Sequence, residues 1–248
     1  GFKELLANEW DDNAVATFKL NFPDVPVIQG DIAKLTVEQV LELTGLQPGE
    51  LDVFDGSPPC QGFSTAGKRV MDDPRNQLFR EYIRLLRGLQ PKVFVMENVS
   101  GMVKGKMKLI FADILRELKA SGYKVSARLL NAMYFNVPQS RQRLIFIGVR
   151  EDLGIEPSHP KAESKPFTVR EAIVSLENEF IEDKPEFHNL KPGQKLYDYG
   201  TAEKRIYSNK PLGTQCKSGG TNGGNPDIHY SKDRYLTVKE MQLLCSFP

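Results

Sequence analysis

Short apolar runs alternate with stretches of helical spacing through the first 150 residues of the chain. Val27-Ile28, Leu51-Asp-Val-Phe-Asp55, Lys92 to Val99, Val125 to Asn131 and Arg143 to Val149 are each short, apolar and bounded by turn residues, as buried strands are. Lys3 to Ala7 reads as a further strand ahead of them. Between these runs, Asp11 or Asp12 caps a helix reaching about Phe22, and Thr36-Val-Glu-Gln39 is a capping box that opens a second. Leu78 to Leu89 sets Phe79, Ile83 and Leu86 on one face, and a fourth helix runs from Met107 to about Leu118. Strand and helix in strict succession predict an α/β fold with a doubly wound, largely parallel sheet over residues 1–150. From Glu151 the alternation stops, proline, glycine and lysine rise, and residues 151–233 read as a smaller irregular lobe. Two capping boxes interrupt that texture: Thr168-Val-Arg-Glu171, and Thr237-Val-Lys-Glu240 within a closing segment over 234–248.

Composition narrows this little. At 248 residues the chain holds one large domain, or one domain plus a lobe, and 40% apolar with 26% charged residues is ordinary globular usage. No apolar run approaches bilayer length and there is no signal-peptide pattern, so the expectation is a cytoplasmic protein without membrane contact. Cys60, Cys216 and Cys245 stand far apart, as do His159, His188 and His229, so no metal site is expected. The net charge of +1 hides a local imbalance. Between Lys184 and Lys217 seven Lys/Arg face three Asp/Glu, with Tyr197, Tyr199 and Tyr207 interleaved. That stretch reads equally as a nucleic-acid contact and as a solvated polar loop.

The candidate chemistry gathers at strand ends. Asp55-Gly-Ser-Pro-Pro-Cys60 delivers a thiol on a stiff turn at a strand's carboxyl end, where open α/β sheets bind ligands. The long polar segment Thr65 to Asn76, with Lys68 and Arg69, is suited to closing over a substrate. Glu9, with Trp10 beside it, and Asp31 end two successive strands; acidic residues there bind ribose hydroxyls, and an indole stacks on adenine. Taken singly, Glu9 is more often a solvent-facing turn residue. Glu97-Asn98 ends the strand from Lys92, followed by Lys104, Lys106 and Lys108. In Asn136-Val-Pro-Gln-Ser-Arg-Gln-Arg143, Gln139, Arg141 and Arg143 alternate and would share one face of an extended segment. The bland reading of those residues is a charged edge strand.

Pro58-Pro-Cys-Gln-Gly-Phe-Ser64, Glu97-Asn-Val99, the Gln139-x-Arg141-x-Arg143 triplet and Arg234-Tyr-Leu-Thr-Val-Lys-Glu240 with Phe247-Pro248 occur in this order. Together they resemble the motifs of the cytosine-C5 DNA methyltransferases of the bacterial modification type, over essentially Glu9 to Pro248. The resemblance implies a Rossmann-like S-adenosylmethionine-dependent sheet over 1–150, a target-recognition region over 151–233 and a return segment over 234–248. It implies that Cys60 is the nucleophile, with Glu97, Arg141 and Arg143 completing the catalytic set. Glu9, Trp10, Asp31, Ile32, Pro58 and Leu78 would hold S-adenosylmethionine, and Gln61, Ser64, Lys68, Arg69, Gln139 and Arg234 would meet DNA. The substrate implied is duplex DNA, handled by a monomer in a bacterial cytoplasm. The family's opening Gly-rich turn and closing Asn-containing segment have no match in this sequence, so segments outside it are expected to complete the cofactor pocket. A transfer RNA substrate, a non-catalytic DNA-binding piece and an unrelated thiol hydrolase are the competing readings.

Overall fold

The structure is a computed structural model. It describes residues 1–58, 77–105, 107–162, 165–176, 191–192, 195–198, 201–213, 227–231 and 234–246. The chain divides into two compact units: Gly1–Leu129 with Arg143–His159, and Leu130–Gln142 with Pro160–Pro248. Residues 130–142 therefore group with the C-terminal unit, as does the closing segment from 234.

The first unit begins with β1 (Ala7–Glu9), α1 (Asp12–Asn21), β2 (Val27–Gln29) and α2 (Val37–Thr44). Asp11 caps α1 by accepting from the Ala14 amide at 3.0 Å, and Thr36 with Gln39 forms the predicted capping box of α2. β1 lies later than the strand expected over Lys3 to Ala7. Its parallel partner β2 follows Pro26, which has no N–H to extend the ladder towards Lys3. β3 (Val53–Gly56), α3 (Gln77–Leu89), β4 (Val93–Val99), α4 (Met107–Ala120) and β5 (Tyr123–Asn131) continue the alternation.

Past β6 (Gln139–Ser140), strand β7 (Gln142–Arg150) inserts between β4 and β5, giving the order β3-β4-β7-β5. β3 and β4 are parallel, whereas β7 runs antiparallel to β4, pairing Met96 with Phe146 and Val99 with Arg143. Residue patterning predicted both strands but not this reversal, because an apolar run reads the same in either direction. One face of β4 and β7 contributes Phe94, Met96, Leu144 and Phe146 to a core completed by Phe79, Tyr82, Ile83 and Leu86 of α3 and by Ile114 and Leu118 of α4. A second cluster joins Val40 of α2 and Leu85 and Leu89 of α3 to Leu6, Ile28, Leu51 and Phe54, so the β1–β2 pair rests on the helices that also cover β3.

The second unit contains more regular structure than its sequence predicts. α5 (Val169–Ile173) has the expected Thr168–Glu171 capping box, but β8 (Lys195–Asp198) and β9 (Thr201–Arg205) form an antiparallel hairpin in a stretch read as irregular. β10 (Leu212–Gly213) pairs with β6, and β11 (Asp227–Ile228) pairs in parallel with β9. α6 (Val238–Leu244) closes the unit, and Val169, Ile173, Ile206, Leu212 and Leu244 form its core. Among the described residues no helix is long and apolar enough to cross a membrane.

Candidate active site

β4 alternates strictly. Phe94, Met96 and Asn98 face the core, which turns Val95, Glu97 and Val99 to the other side. Arg143 stands opposite Val99 on β7, so its guanidinium lies one diagonal step from Glu97, and the Arg143 Nε pairs with a Glu97 carboxylate oxygen. The two side chains are 23% and 34% exposed, within reach of a ligand. Asn98, in contrast, is 3% exposed. Its amide Nδ2 donates to the Pro58 carbonyl at 3.0 Å, and its Oδ1 accepts from the Val99 amide at 2.9 Å. One residue thus caps the end of β4 and fixes the chain two residues before Cys60. Cys60 itself, with Gln61, Ser64, Lys68 and Arg69, lies outside the described residues.

The carboxyl ends of β1 and β2 are adjacent, with Glu9 in register with Gln29 and the Gly30 amide donating to the Glu9 carbonyl at 2.9 Å. Glu9 Oε1 accepts from the Trp10 and Asp11 amides at 2.8 and 3.0 Å, which holds the carboxylate at the strand end. Trp10 is 78% exposed, an indole with a free face. Asp31 Oδ1 caps the short turn Ile32–Lys34 through the Ala33 amide at 2.9 Å. Two residues not singled out in the sequence hold this edge. Asn8 donates to the carbonyls of Ile28 at 2.9 Å and Gly30 at 3.2 Å, and Arg84 on α3 donates to those of Ile32 at 3.1 Å and Leu35 at 2.7 Å. Adjacent carboxylates with an exposed indole fit a nucleoside: acceptors for ribose hydroxyls and a surface for a base. Pro58 is buried and Leu78 half-buried in the first turn of α3.

The Gln-x-Arg-x-Arg segment, of which Gln139 to Gln142 belong to the second unit, is not one extended strand. The Arg141 amide donates to the Gln139 carbonyl at 3.1 Å, a three-residue turn that interrupts the alternation. Gln139 is 4% exposed, and its Nε2 donates to the Cys245 Sγ at 3.3 Å, so it turns inwards within this unit rather than offering its amide to a ligand. Burial pushes the Cys245 thiol up from its ordinary value, against the hydrogen bond from Gln139 and the charge of Arg141. Arg234, expected among the DNA contacts, is buried at 2% exposure. Its two terminal nitrogens grip Glu240 at 2.9 and 2.8 Å, and His229 Nε2 stands 3.5 Å from the same carboxylate. A cation this deep is retained by its partner, so Arg234 braces the start of α6.

A family model for C-5 cytosine-specific DNA methylases matches residues 1–248. The chain belongs to that family.

Its relatives include the Type II methyltransferase M.AquIA of Picosynechococcus sp., 41% identical over 200 residues covering 71% of this chain and 81% of that protein. M1.HphI of Haemophilus parahaemolyticus is 35% identical over 280 residues, covering 100% of this chain and 72% of its own. Among solved structures, a putative DNA modification methyltransferase encoded within an E. coli prophage superposes with a TM-score of 0.76 at 24% identity, over 98% of this chain and 82% of that one. Spodoptera frugiperda DNMT2 superposes with a TM-score of 0.67 at 22% identity, over 99% and 82% of the two chains. Those two likenesses show the shared Rossmann-like methyltransferase fold. This C-5 cytosine-specific methylase is a DNA (cytosine-5-)-methyltransferase, an enzyme class whose methyl donor is S-adenosylmethionine and whose substrate is DNA. Of its candidate site residues, the structure brings Glu97 and Arg143 together on neighbouring strands and Glu9 and Asp31 onto a second edge. Asn98, read in the sequence only as part of the strand end and the Glu-Asn-Val motif, is the residue that ties β4 to Pro58. Its signal was available: an Asn on the core-facing side of an alternating strand must find a buried partner.

Proposed function

We propose that this methylase methylates C5 of a flipped-out cytosine in a specific duplex DNA sequence, through a covalent adduct between Cys60 and C6. The observation that carries the reading is the Glu97–Arg143 pair beside Asn98, whose amide holds Pro58 in the Pro-Pro-Cys60 segment. C5 of cytosine is a poor nucleophile until C6 carries an electron-rich substituent. Addition of the Cys60 thiolate at C6 makes the ring an enamine with its density at C5. Glu97 holds the N4 amino group and delivers a proton to N3 as negative charge develops there.

The incoming base takes Glu97 away from Arg143. The freed guanidinium, with Arg141 two residues earlier in the chain, then meets the charge at O2. When bound, S-adenosylmethionine supplies the electrophilic methyl group that C5 takes up. Glu9 would accept from its ribose hydroxyls, Asp31 would stand near the adenine that Trp10 would cover, and Ile32, Pro58 and Leu78 would add the remaining cofactor contacts. Loss of the C5 proton to water and elimination of Cys60 release 5-methylcytosine. Extruding the base costs roughly a few kcal/mol, least where the pair is already weakened. Residues between Glu151 and Arg234 read the sequence in the major groove, and their lysines make binding salt-dependent.

The test is bisulfite sequencing of plasmid DNA from a methylation-free host expressing the full protein, beside Cys60→Ala. Protection of cytosine in one recurring sequence, absent from the variant, is the expected result. A soluble protein that protects no cytosine in DNA but labels transfer RNA would overturn the choice of substrate.

A further inference from the structure

The segment after β4 carries a charge pattern that neither the chemistry nor the fold uses. Ser100 to Ala112 contains Lys104, Lys106 and Lys108 and no acidic residue. The strand delivers this segment directly from Glu97, and a short 3-10 turn over Ser100–Val103 leads into α4. Its backbone is tied down, with the Met107 amide donating to the Lys104 carbonyl at 3.1 Å and the Lys108 amide to that of Gly105 at 3.3 Å.

Several cations elsewhere around this sheet are matched. Lys92 pairs with Asp52 at 2.7 Å, Arg87 with Glu117 at 2.9 Å, Lys124 with Glu156 at 2.5 Å and Arg150 with Asp152 at 2.7 Å. Those pairs gather at the end of the sheet where β4 begins. Lys104 and Lys108, at the end where β4 finishes, are exposed, and among the described residues neither side-chain ammonium has an ion-pair or hydrogen-bond partner. The local field makes no use of them either. The first turn of α4 holds no carboxylate, and a helix disfavours cations at its amino end, whereas Lys119 in the last turn sits where cations are favoured. Val99, 52% exposed, adds an apolar surface between these lysines and Glu97.

We propose that Lys104 and Lys108 form a phosphate-contact patch that holds the duplex backbone beside the target cytosine. The proposal rests on the DNA-methylating reading above and adds a surface to it. Unmatched cations along the edge that carries the reactive groups suit a polyanion passing that edge. They contribute affinity and orientation without reading sequence.

The experiment measures binding of the full protein to a short fluorescent duplex of arbitrary sequence across a salt series. Each phosphate contact contributes about 0.9 to the slope of log K against log salt, so Lys104→Gln with Lys108→Gln should flatten it by about 1.8. Between 50 and 200 mM salt the variant's loss of affinity is then about 12-fold smaller than the wild type's. Lys119→Gln, at the far end of the same helix, should leave the slope unchanged, and matching thermal melts for all three proteins confirm intact folding. A wild-type slope in the double variant, in a preparation that methylates DNA, overturns the patch and leaves the activity standing. A weakened affinity for transfer RNA with unchanged duplex binding overturns it too. A wild-type protein that neither methylates nor binds DNA removes the functional reading first.

Discussion

Two glutamate–arginine pairs in this protein, Glu97 with Arg143 and Glu240 with Arg234, should behave oppositely when broken. Glu97→Gln is the informative change, because the carboxamide keeps the shape and can still accept from Arg143. The pair is 34% and 23% exposed, and ion pairs open to solvent contribute about 0–1 kcal/mol, so stability should move by no more than about 1 kcal/mol. The rate should respond far more. A positioned proton donor contributes about 10²–10⁴-fold, so kcat should fall by that factor, about 3–5 kcal/mol of barrier. Single-turnover transfer of labelled methyl groups into duplex DNA measures the rate, and urea unfolding measures the stability. A variant retaining more than about a tenth of wild-type kcat would show that Glu97 moves no proton in the rate-determining chemistry, well short of the 10²-fold minimum. A stability loss above about 2 kcal/mol would show instead that the pair is structural, since an exposed pair cannot supply that much.

The buried pair gives the reverse expectation. Glu240→Gln leaves Arg234 uncompensated at 2% exposure and should destabilise the second unit by roughly 3–5 kcal/mol, read from hydrogen exchange across α6. Burial opposes ionisation of Glu240, but the Arg234 hydrogen bonds, the Thr237 amide and the charges of Arg234 and His229 outweigh it and hold the carboxyl below its ordinary value. Its stabilisation is therefore present above the unfolded carboxyl value near 4.5 and lost as pH falls through the lower folded value, so an acid titration should melt α6 in the wild type and change little in Glu240→Gln. Asn98→Ala strands the Pro58 carbonyl and should cost about 1–3 kcal/mol while reducing kcat by loosening the segment before Cys60; a variant with wild-type kcat would separate that latch from catalysis. At Gly148 an added Cβ would meet the Phe94 ring, which is fully buried opposite it, so Gly148→Ala should lose about 1–3 kcal/mol in urea unfolding.

What the sequence revealed was the part written in local rules. Thr36 with Gln39, Thr168 with Glu171 and Thr237 with Glu240 announced three helix starts, because a capping box satisfies its own backbone donors within four residues. Glu97 and Arg143 were singled out from their motifs, and their pairing follows from a strand register that no local pattern contains. β10 and β11 went unread for the same reason, since their partners lie at a distance in the chain, as when Asp227 pairs with Lys204. β8 and β9 pair locally, but a run rich in lysine and other polar residues carries little strand signal of its own. The burial of Arg234 and Gln139 was not legible: long polar side chains read as surface until a partner such as Glu240 or Cys245 draws them in.

On the proposed function, the two-stranded sheet that ends at Glu9 and runs on to Asp31 sets terms for donor binding that contact geometry alone would miss. Strands of three residues form few ladder bonds, and Asn8 supplies two of the links that hold β2 to β1. Only the paired state presents both carboxylates, so the apparent dissociation constant equals the intrinsic one divided by the population of that state. Asn8→Ala should therefore weaken S-adenosylmethionine binding in calorimetry without removing a ligand contact, and should make the measured binding entropy more unfavourable as the ligand orders the pair. On this edge of the molecule affinity is partly a folding equilibrium, tuned by residues the ligand never meets.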